Sequence, residues 1–266
     1  YTYLDHNGRL NVVTSTQVPF HCRRIIAHAL GLSPTRVRVV KPRIGGGFGA
    51  KQTVVGELFP ALVTLRTGKP AKIVYTRQES FSASNSRHQM RVRVRMGATR
   101  DGIVRAVAVD ALSNAGAYGE HASTTVGLTG HKSIPLYAKA EAFRFSYQVV
   151  YTNTMAGGAF RGYGATQGCF AVESAANELA ERLGIDPAQL RLKNIPQQGE
   201  VMPAYYHEPL SSSRLPDCIR RGMELIGWEQ NYPRVQVSDH LVRGVGMALT
   251  MQGSGISSID TASATI

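Results

Sequence analysis

The glycine stretch at residues 45–49 constrains this chain more than any other feature. Four glycines surround the single aromatic Phe48, after the β-branched run Val37–Val40 and before an apolar-periodic segment. Because glycine has no Cβ, such a backbone can adopt positive φ and lie directly against a ligand or a facing chain. Its N–H groups can then meet an anion at the start of a helix. A tight strand-to-helix turn without a ligand is the alternative.

The composition describes an ordinary soluble globular protein. The chain has 266 residues, 43% of them hydrophobic and 18% charged, which suffices for one large domain or two modest ones. It contains no run of about 18 apolar residues, so the sequence predicts no membrane span. The first residues lack both an initiator Met and a signal-peptide pattern, and they enter a strand pattern at once. This start indicates a piece of a longer polypeptide.

The net charge of +12 comes from 30 basic and 18 acidic residues. The basic side chains lie singly or on strand faces, as at Arg91, Arg93 and Arg95, and no zinc-finger or RNP pattern occurs. The charge therefore favours an anionic cofactor or an acidic partner over nucleic acid.

The cysteines Cys22, Cys169 and Cys218 are isolated and show no CxxC spacing. This pattern argues against an iron–sulfur cluster or a structural zinc site in the chain itself. It predicts three small, buried, reduced thiols and a cytoplasmic protein.

Hydrophobic periodicity predicts an α+β fold with mixed, largely antiparallel sheets, some βα units and approximate lobes at 1–140 and 141–266. Twice the order is strand, glycine loop, helix. The predicted strands are 9–16, 37–40, 71–75, 90–96, 103–112, 143–151 and 244–250. The predicted helices are 17–32, 52–67 with a kink at Pro60, one after 164 that ends near 183, a short one capped by Asp186, and 215–228. A hairpin turn at Asp101-Gly102, a long loop at 114–135, a linker at 195–210 and a third glycine loop at 251–255 connect them.

Two nucleotide-binding motifs compete for the glycine stretch. A Walker A loop, counted from Gly45, meets Ala50 at its second glycine and Gln52 at its magnesium-binding hydroxyl. The loss of that hydroxyl excludes the motif. The dinucleotide fingerprint does match at Gly45, Gly47 and Ala50. It lacks the acidic residue about 20 positions on, and it leaves an NADP-dependent dehydrogenase as one alternative.

Three motifs in order carry a family resemblance. They are Val13–Gln17, Gly45–Lys51 and Ala159–Gln167. Together they resemble the motifs of the molybdenum hydroxylases, the family of xanthine dehydrogenase and aldehyde oxidase. The resemblance covers essentially the whole chain. It corresponds to the first half of the family's molybdopterin-binding region.

The resemblance implies roles for individual residues. Molybdopterin carries molybdenum on dithiolene sulfurs and an anionic phosphate, so backbone amides must come within about 3 Å of oxo and phosphate oxygens. Gln17 matches the amide that hydrogen-bonds an apical metal ligand, and Gly47, Phe48 and Gly49 match the backbone that approaches metal and pterin. Arg161 matches an arginine at the metal. Gln17, Phe48 and Arg161 are thus expected in second-sphere or backbone contacts with the molybdenum ligands.

Two positions depart from the xanthine-oxidising pattern. Gln52 stands where those enzymes carry a substrate-binding glutamate, and a neutral amide cannot protonate a ring as a carboxylic acid does. Tyr163 stands at a substrate-stacking phenylalanine position and adds a hydroxyl. Residues 119–135 also offer no arginine for a second substrate contact. The resemblance therefore implies a neutral or carboxylated N-heterocycle or an aldehyde as substrate, rather than xanthine.

The family's reaction is hydroxylation with water as the oxygen source. Its general base is a glutamate near the family's C-terminus, and neither Glu57 nor Glu79 matches that motif. We therefore expect no catalytic residue in this chain, which corresponds to half of a molybdenum subunit.

The implied cofactor is molybdenum–molybdopterin, with the cytosine dinucleotide as one form, and [2Fe-2S] and FAD groups are expected on partner chains or domains. The expected partners are the remaining half of the subunit, iron–sulfur and FAD subunits or domains, and a small-molecule substrate. A non-catalytic assembly module of the same fold is a further alternative.

Overall fold

The computed structural model of the chain describes residues 1–204 and 207–251. Two compact units are built from alternating segments of the sequence. The first unit comprises Tyr1–Gln89, Ser113–Thr125 and Val149–Tyr163, and the second comprises Met90–Leu112, Val126–Gln148 and the residues from Gly164 onward. The units therefore interleave along the chain, whereas the lobes expected from the sequence are continuous segments.

Both units combine helices with small sheets, which confirms the α+β class. The helices are α1 Pro19–Ala29, α2 Leu58–Thr67, α3 Arg77–Ala83, α4 Ala122–His131, α5 Ala165–Leu183, α6 Pro187–Asn194, α7 Leu215–Ile226 and α8 Trp228–Asn231. The strands are β1 Thr2–Leu4, β2 Leu10–Val13, β3 Val37–Val40, β4 Met90–Ala98, β5 Val104–Gly116, β6 Ala142–Tyr151, β7 Val201–Met202, β8 Glu208–Pro209, β9 Arg234–Ser238 and β10 Leu241–Gly244. Within the described residues, each helix is too short or too polar to cross a membrane.

The first unit is organised on the sheet β1–β2–β3. Strand β1 is antiparallel to β2, while β2 and β3 are parallel and are connected through α1. One face of α1 packs on this sheet, as its apolar stripe predicts. The buried core of this unit is formed by Leu10, Val12, Cys22, Ile26, Ala27, Val37 and Ala61. The predicted strand–helix–strand order is confirmed, and it leads directly into the glycine stretch.

Two predictions for the segment after the glycine stretch are wrong. The helix begins at Leu58 rather than at Gln52. Pro60 therefore lies in the first turn, where a missing N–H costs no helical hydrogen bond, and α2 continues through it. The predicted strand at 71–75 is reduced to one bridge between Ala71 and Thr2. Its β-branched residues favour a strand, but Ala71 alone has a pairing partner there.

The second unit contains the predicted long hairpin. A tight turn joins β4 to β5, and Gly102 in this turn has φ +86° and donates to the Thr99 carbonyl at 3.0 Å. Along β4 half-buried apolar residues alternate with exposed arginines, and the apolar side packs against the core that α5 covers. The core is centred on Val104, Val107, Val109, Leu136, Val172, Ala176, Leu190 and Trp228. Asp186 caps α6 as predicted, because its Oδ1 accepts from Ala188 and Gln189.

Three further predictions are wrong or incomplete. The long loop expected at 114–135 contains helix α4, whose Thr129 carbonyl lies where a Cβ on Gly168 of α5 would be 1.8 Å away. A Cβ on Gly130 of α4 would likewise lie 2.4 Å from the Phe145 ring. The helix therefore lacks the periodic apolar pattern that signals helices. The predicted strand at 244–250 is replaced by the hairpin β9–β10, and the predicted linker carries the short pair β7–β8. The third glycine loop lies outside the described residues except for Met251.

Candidate active site

The first glycine loop is held in left-handed backbone conformations. The φ angles are +66° at Gly45, +115° at Gly46, +54° at Phe48 and +93° at Gly49. For a phenylalanine this conformation is sterically strained, at a cost on the order of 1–3 kcal/mol. The Phe48 side chain is nevertheless 62% exposed. The loop therefore presents this ring to its surroundings instead of burying it.

Gln17 fastens the loop from the start of α1. Its Oε1 accepts hydrogen bonds from the backbone N–H groups of Gly49 at 3.0 Å and Lys51 at 3.3 Å. Its own backbone N–H donates to the Lys51 carbonyl at 2.9 Å. These contacts occupy the oxygen of the carboxamide, so the Nε2 group keeps its donor capacity. Gln17 thus belongs to the glycine loop and is more than a polar residue at a helix start.

Gly47 and Lys51 complete the packing of the loop. A Cβ on Gly47 would lie 2.3 Å from Gln17 Cδ, so this position admits only glycine without a shift of the Gln17 side chain. Lys51 Nζ donates to the Ile44 carbonyl at 2.8 Å and closes the loop on itself. In the described part of the chain, the N–H groups of Gly46, Gly47 and Phe48 donate to no protein acceptor. They remain available as hydrogen-bond donors.

The second glycine loop, residues 156–164, lies directly against the first. A Cβ on Gly49 would be 3.0 Å from the Ala159 carbonyl carbon and from Phe160 N. The Arg161 guanidinium stacks over the Phe48 ring, with Cζ 4.2 Å from the ring centroid, which is a cation–π contact. Over residues 1–204 and 207–251, no carboxylate forms an ion pair with Arg161. Two segments far apart in sequence thus form one surface.

Arg87 supports the second loop from behind. Its Nη2 donates to the Arg161 carbonyl at 2.7 Å, and its guanidinium lies 4.9 Å from the centroid of the Phe160 ring. Burial lowers the pKa of Arg87 from its ordinary value. Two arginines therefore order this loop, one through its backbone and one through the facing aromatic ring.

Tyr163 ends the second loop in an unusual backbone conformation and is bonded to a histidine. Its φ is +48°, and that of His121 is +52°. The Tyr163 hydroxyl lies 2.5 Å from His121 Nδ1, and the two rings meet edge to face at 5.6 Å between centroids. Burial raises the pKa of Tyr163, against hydrogen bonds from Thr125 and Thr124 that lower it. The phenol is thus a neutral hydrogen-bonding group.

Gln52 follows the first loop and lies beside a second polar contact. Its backbone N–H donates to the Gly49 carbonyl at 3.1 Å. The neighbouring Thr53 hydroxyl donates to Glu120 Oε1 at 2.7 Å. Since Glu120 precedes His121, one dipeptide contacts both Thr53, which follows the first loop, and Tyr163, at the end of the second.

The dinucleotide alternative is not supported by the local structure. The fingerprint requires a helix to begin at its third glycine position, where the pyrophosphate meets the helix N-terminus. Here Ala50 is followed by turns, and α2 begins at Leu58. Strand β3 also lies at the edge of a three-stranded sheet.

Glu57 and Glu79 have structural roles. Glu57 accepts from the Thr14 hydroxyl and from the N–H groups of Val55 and Gly56. Glu79 forms a capping box with Thr76 at the start of α3. The described residues contain no group of three or more His, Cys, Asp or Glu that could hold a metal ion.

The cysteines only partly match expectation. Cys22 and Cys169 are buried free thiols, whereas Cys218 is exposed. Burial, with a smaller effect from Glu57, raises the pKa of Cys22 to about 12. Burial raises the pKa of Cys169 as well. The prediction of a buried thiol is therefore wrong for Cys218, which lies on the outward side of α7.

Three residues at this site have no signal in the sequence motifs. They are Arg87, Glu120 and His121. Arg87 and His121 contact the second glycine loop, and Glu120 contacts Thr53, which follows the first loop. His121 stands beside a Gly-Ala-Tyr-Gly-Glu run in the segment predicted as a loop. A histidine in a long glycine-containing loop is the one feature that could have drawn attention to it.

Comparison with known proteins identifies the class. Residues 1–195 match the family described as the molybdopterin cofactor-binding domain. Over 248 residues the chain is 38% identical to the xanthine dehydrogenase molybdenum-binding subunit of Escherichia coli O157:H7, which covers 92% of this chain and 33% of that protein. It is also 37% identical over 198 residues to the nicotinate dehydrogenase large molybdopterin subunit of Eubacterium barkeri, covering 74% of this chain and 46% of that protein.

A solved structure shows the same fold. The aldehyde oxidoreductase of Desulfovibrio gigas superposes with a TM-score of 0.79 at 30% identity, over 86% of this chain and 25% of that chain. The chain therefore belongs to the molybdopterin cofactor-binding domain family, whose relatives here are molybdenum-dependent oxidoreductases. It spans about a third of the length of the xanthine dehydrogenase subunit that it matches.

Proposed function

We propose that this chain is part of the molybdenum-binding catalytic subunit of an oxidoreductase of the xanthine dehydrogenase and aldehyde oxidase type. The observation that carries the proposal is the meeting of the two glycine loops, with Arg161 stacked 4.2 Å over Phe48 and Gln17 bonded to Gly49. Each of the three motifs that define the resemblance contributes at least one of these four residues. Family membership supports the same conclusion.

The cofactor proposed for this surface is molybdenum–molybdopterin, and the donor set fits it. Gln17 Nε2 and the backbone N–H groups of Gly47 and Phe48 would hold its oxo and phosphate oxygens, since none of them is consumed by a described protein acceptor. Glycine at 47 and 49 keeps Cβ atoms out of the space taken by Gln17 and by the second loop. Arg161 adds a positive charge beside these donors. An anionic, oxygen-rich group is the ligand that such a surface favours.

The bound molybdenum group would supply hydroxylation of an electron-poor carbon with oxygen from water. The residues of this chain would orient the bound group and stabilise negative charge. The N–H groups of the glycine loop point fixed dipoles at negative charge, and a left-handed backbone held by Gln17 needs little reorganisation to do so. Phe48 forms a hydrophobic wall, and the neighbouring Arg161 favours negative charge that develops during the reaction. No residue of the chain is assigned as general base.

We assign Gln52 and Tyr163 to the substrate. Gln52 offers a neutral carboxamide and Tyr163 an aromatic face with a neutral hydroxyl, whose pKa is raised by burial. This pair suits a flat N-heterocycle that accepts or donates hydrogen bonds. An aldehyde remains the second candidate, because the structural relative is an aldehyde oxidoreductase.

The proposed partners are the rest of the molybdenum subunit and subunits or domains that carry iron–sulfur centres and FAD. The matched relatives are about three times the length of this chain or are large subunits, which supports a multi-part enzyme. The cytosine dinucleotide is one proposed form of the cofactor. We propose the cytoplasm as the compartment, which the three free cysteines support.

Metal analysis tests this proposal directly. The chain is produced together with the rest of its subunit and the cofactor maturation proteins, and molybdenum is quantified by mass spectrometry. We expect about one molybdenum per subunit and oxidation of an N-heterocycle or an aldehyde. A well-folded complex without molybdenum would overturn the proposal and favour a non-catalytic assembly module. Gly49→Ala is the variant to compare with the wild type. Its Cβ would separate the two loops, so we expect a lower molybdenum content.

A further inference from the structure

His121 forms a hydrogen bond with Tyr163, one of the two residues assigned to the substrate. Its Nδ1 lies 2.5 Å from the Tyr163 hydroxyl, and its ring meets the Tyr163 ring edge to face. The two residues are 42 positions apart in sequence. Each has a positive φ although neither is glycine. Both backbones are therefore held in sterically unfavourable conformations. In these conformations the two side chains contact each other.

The direction of the hydrogen bond between Tyr163 and His121 depends on the tautomer of the imidazole. Burial raises the pKa of Tyr163 more than Thr125 and Thr124 lower it, so the phenol keeps its proton. The protonated hydroxyl has one hydrogen, which a neutral imidazole can accept at Nδ1.

The segment that carries His121 is itself anchored. Glu120 Oε1 accepts from the buried hydroxyl of Thr53 at 2.7 Å, directly beside Gln52. Gly119 has φ +66°, and a Cβ there would lie 2.7 Å from the Tyr151 hydroxyl. Both the backbone conformation and this contact favour glycine at position 119. The dipeptide Glu120-His121 thus contacts Thr53, which follows the first glycine loop, and Tyr163, at the end of the second. It links the two positions assigned to the substrate.

From this geometry we infer that His121 is a positioning residue, which sets the orientation of the Tyr163 ring and thereby the selection of flat heteroaromatic substrates. The hydrogen bond between Glu120 and Thr53 fixes the position of the segment that carries His121. The inference rests on the proposed function. A ring that rotates freely about its side-chain bonds loses part of its stacking contact, and the hydrogen bond to His121 removes that freedom.

The test uses the full molybdenum subunit loaded with cofactor. His121→Gly removes the imidazole while it keeps the left-handed backbone, and His121→Asn keeps a carboxamide near the position of Nδ1 and tolerates the same backbone. We expect His121→Gly to raise KM for nicotinate, hypoxanthine or quinoline about 10-fold, the loss of one good hydrogen bond. KM for acetaldehyde, which has no ring to stack, is expected to stay within about twofold by the same reasoning. His121→Asn is expected to restore most of the heterocycle affinity.

A double-mutant cycle separates this role from general stability. Tyr163→Phe keeps the ring and removes the hydroxyl, so His121→Gly combined with Tyr163→Phe should be no worse than either alone. Additive effects would overturn the inference, as would equal losses for acetaldehyde and heterocycles. The exposed His6→Ala is the matched control.

One readout does not depend on turnover. In the subunit labelled with ¹⁵N-histidine, Tyr163→Phe should shift the Nδ1 resonance of His121 and leave that of His6 unchanged. An unshifted His121 resonance would overturn the inference even with an active enzyme. If the wild-type subunit carries no molybdenum and oxidises none of these compounds, the proposed function fails and the substrate role fails with it. An active wild type with an unaffected His121→Gly variant overturns the positioning role alone.

Discussion

The carboxamide oxygen of Gln17 accepts the backbone N–H of Gly49 at 3.0 Å, across 32 positions of sequence. This single contact joins the segment before α1 to the loop after β3, and it leaves the carboxamide nitrogen available. A glutamine is suited to this position because one end of its side chain accepts while the other donates. The loop is therefore preorganised by the same side chain that is proposed to face the cofactor.

Gln17→Ala should weaken the first glycine loop. Two backbone N–H groups lose their acceptor, and we expect a loss of about 1–3 kcal/mol in the free energy of unfolding. Urea denaturation followed by circular dichroism measures the change. Gln148→Ala, an exposed glutamine of β6, is the control and should change stability by no more than about 0.5 kcal/mol. Equal stability of both variants would contradict the importance of the Gln17 contact.

Gly49→Ala and Gly45→Ala separate backbone strain from close approach. Both positions have positive φ, but a Cβ on Gly49 meets the second loop at 3.0 Å, whereas a Cβ on Gly45 meets nothing within 4 Å. We expect about 1–2 kcal/mol of destabilisation at Gly45 from strain alone, and a larger loss at Gly49. Thermal unfolding measures the difference. Gly49→Ala should also lower molybdenum content in the assembled subunit, and equal effects at the two positions would refute the close contact.

The contact between Phe48 and Arg161 can be measured as a coupling energy. Because the ring is exposed, a double-mutant cycle with Phe48→Leu and Arg161→Gln should give about 0.5–1 kcal/mol. The pair Phe20 and Arg23 has a longer distance of 5.8 Å and serves as the control, with a smaller coupling expected. A coupling of zero at Phe48 would show that the two loops do not hold each other through these side chains.

Thiol reactivity should distinguish the three cysteines. The pKa of Cys22 is raised to about 12 and that of Cys169 is raised as well, both chiefly by burial, so their reactive thiolate forms are scarce at pH 8. We expect a disulfide reagent to modify one thiol per native chain, at Cys218. Cys218→Ser should abolish the fast phase, and unfolding in guanidinium should expose the two others. Fast modification of Cys22 in the native protein would contradict its burial.

Glu173 should be among the most sensitive positions of the second unit. Its carboxylate receives hydrogen bonds from Tyr137 at 2.6 Å, Arg191 at 2.8 Å and the backbone of Leu249 at 2.6 Å, and it is almost fully buried. Removal of one partner leaves an uncompensated buried charge, so Glu173→Ala should cost about 3–5 kcal/mol.

The surface ion pair between Arg221 and Glu224 is the control for this prediction. Both of its side chains are largely exposed, and Glu224→Ala should cost at most about 1 kcal/mol. Comparable losses for the two glutamate variants in denaturant titrations would rule out a special role for the buried network.

Local sequence patterns predict the elements that depend on nearest neighbours. The run Val37–Val40, the turn at Gly102 and the cap at Asp186 are all found as expected. The failures have tertiary causes. Helix α4 has no periodic apolar face, because its Thr129 carbonyl lies against Gly168 of α5 and its Gly130 lies against the Phe145 ring, contacts that depend on the folded chain. Segment 71–75 has strand composition but a partner for only one residue.

The candidate site shows the same division. The motifs located both glycine loops and Gln17, because each has a residue type that its backbone or headgroup requires. They could not show that Arg161 stacks on Phe48 or that His121 meets Tyr163, since these pairs lie 113 and 42 positions apart. Contacts at such separations depend on the folded chain, and one sequence alone does not specify them.

The interleaving of the two units sets an order for biosynthesis. The first unit takes its last segment from Val149–Tyr163, which includes the second glycine loop. A nascent chain that has emerged only to residue 148 already contains Gln17 and the first loop, yet it lacks Arg161 and Tyr163. Domains fold as units once their residues are available. The surface formed by the two glycine loops can therefore form only after the β4–β5 hairpin of the second unit has also left the ribosome. Arg161 and Tyr163 therefore reach the first glycine loop only late in synthesis of the described chain.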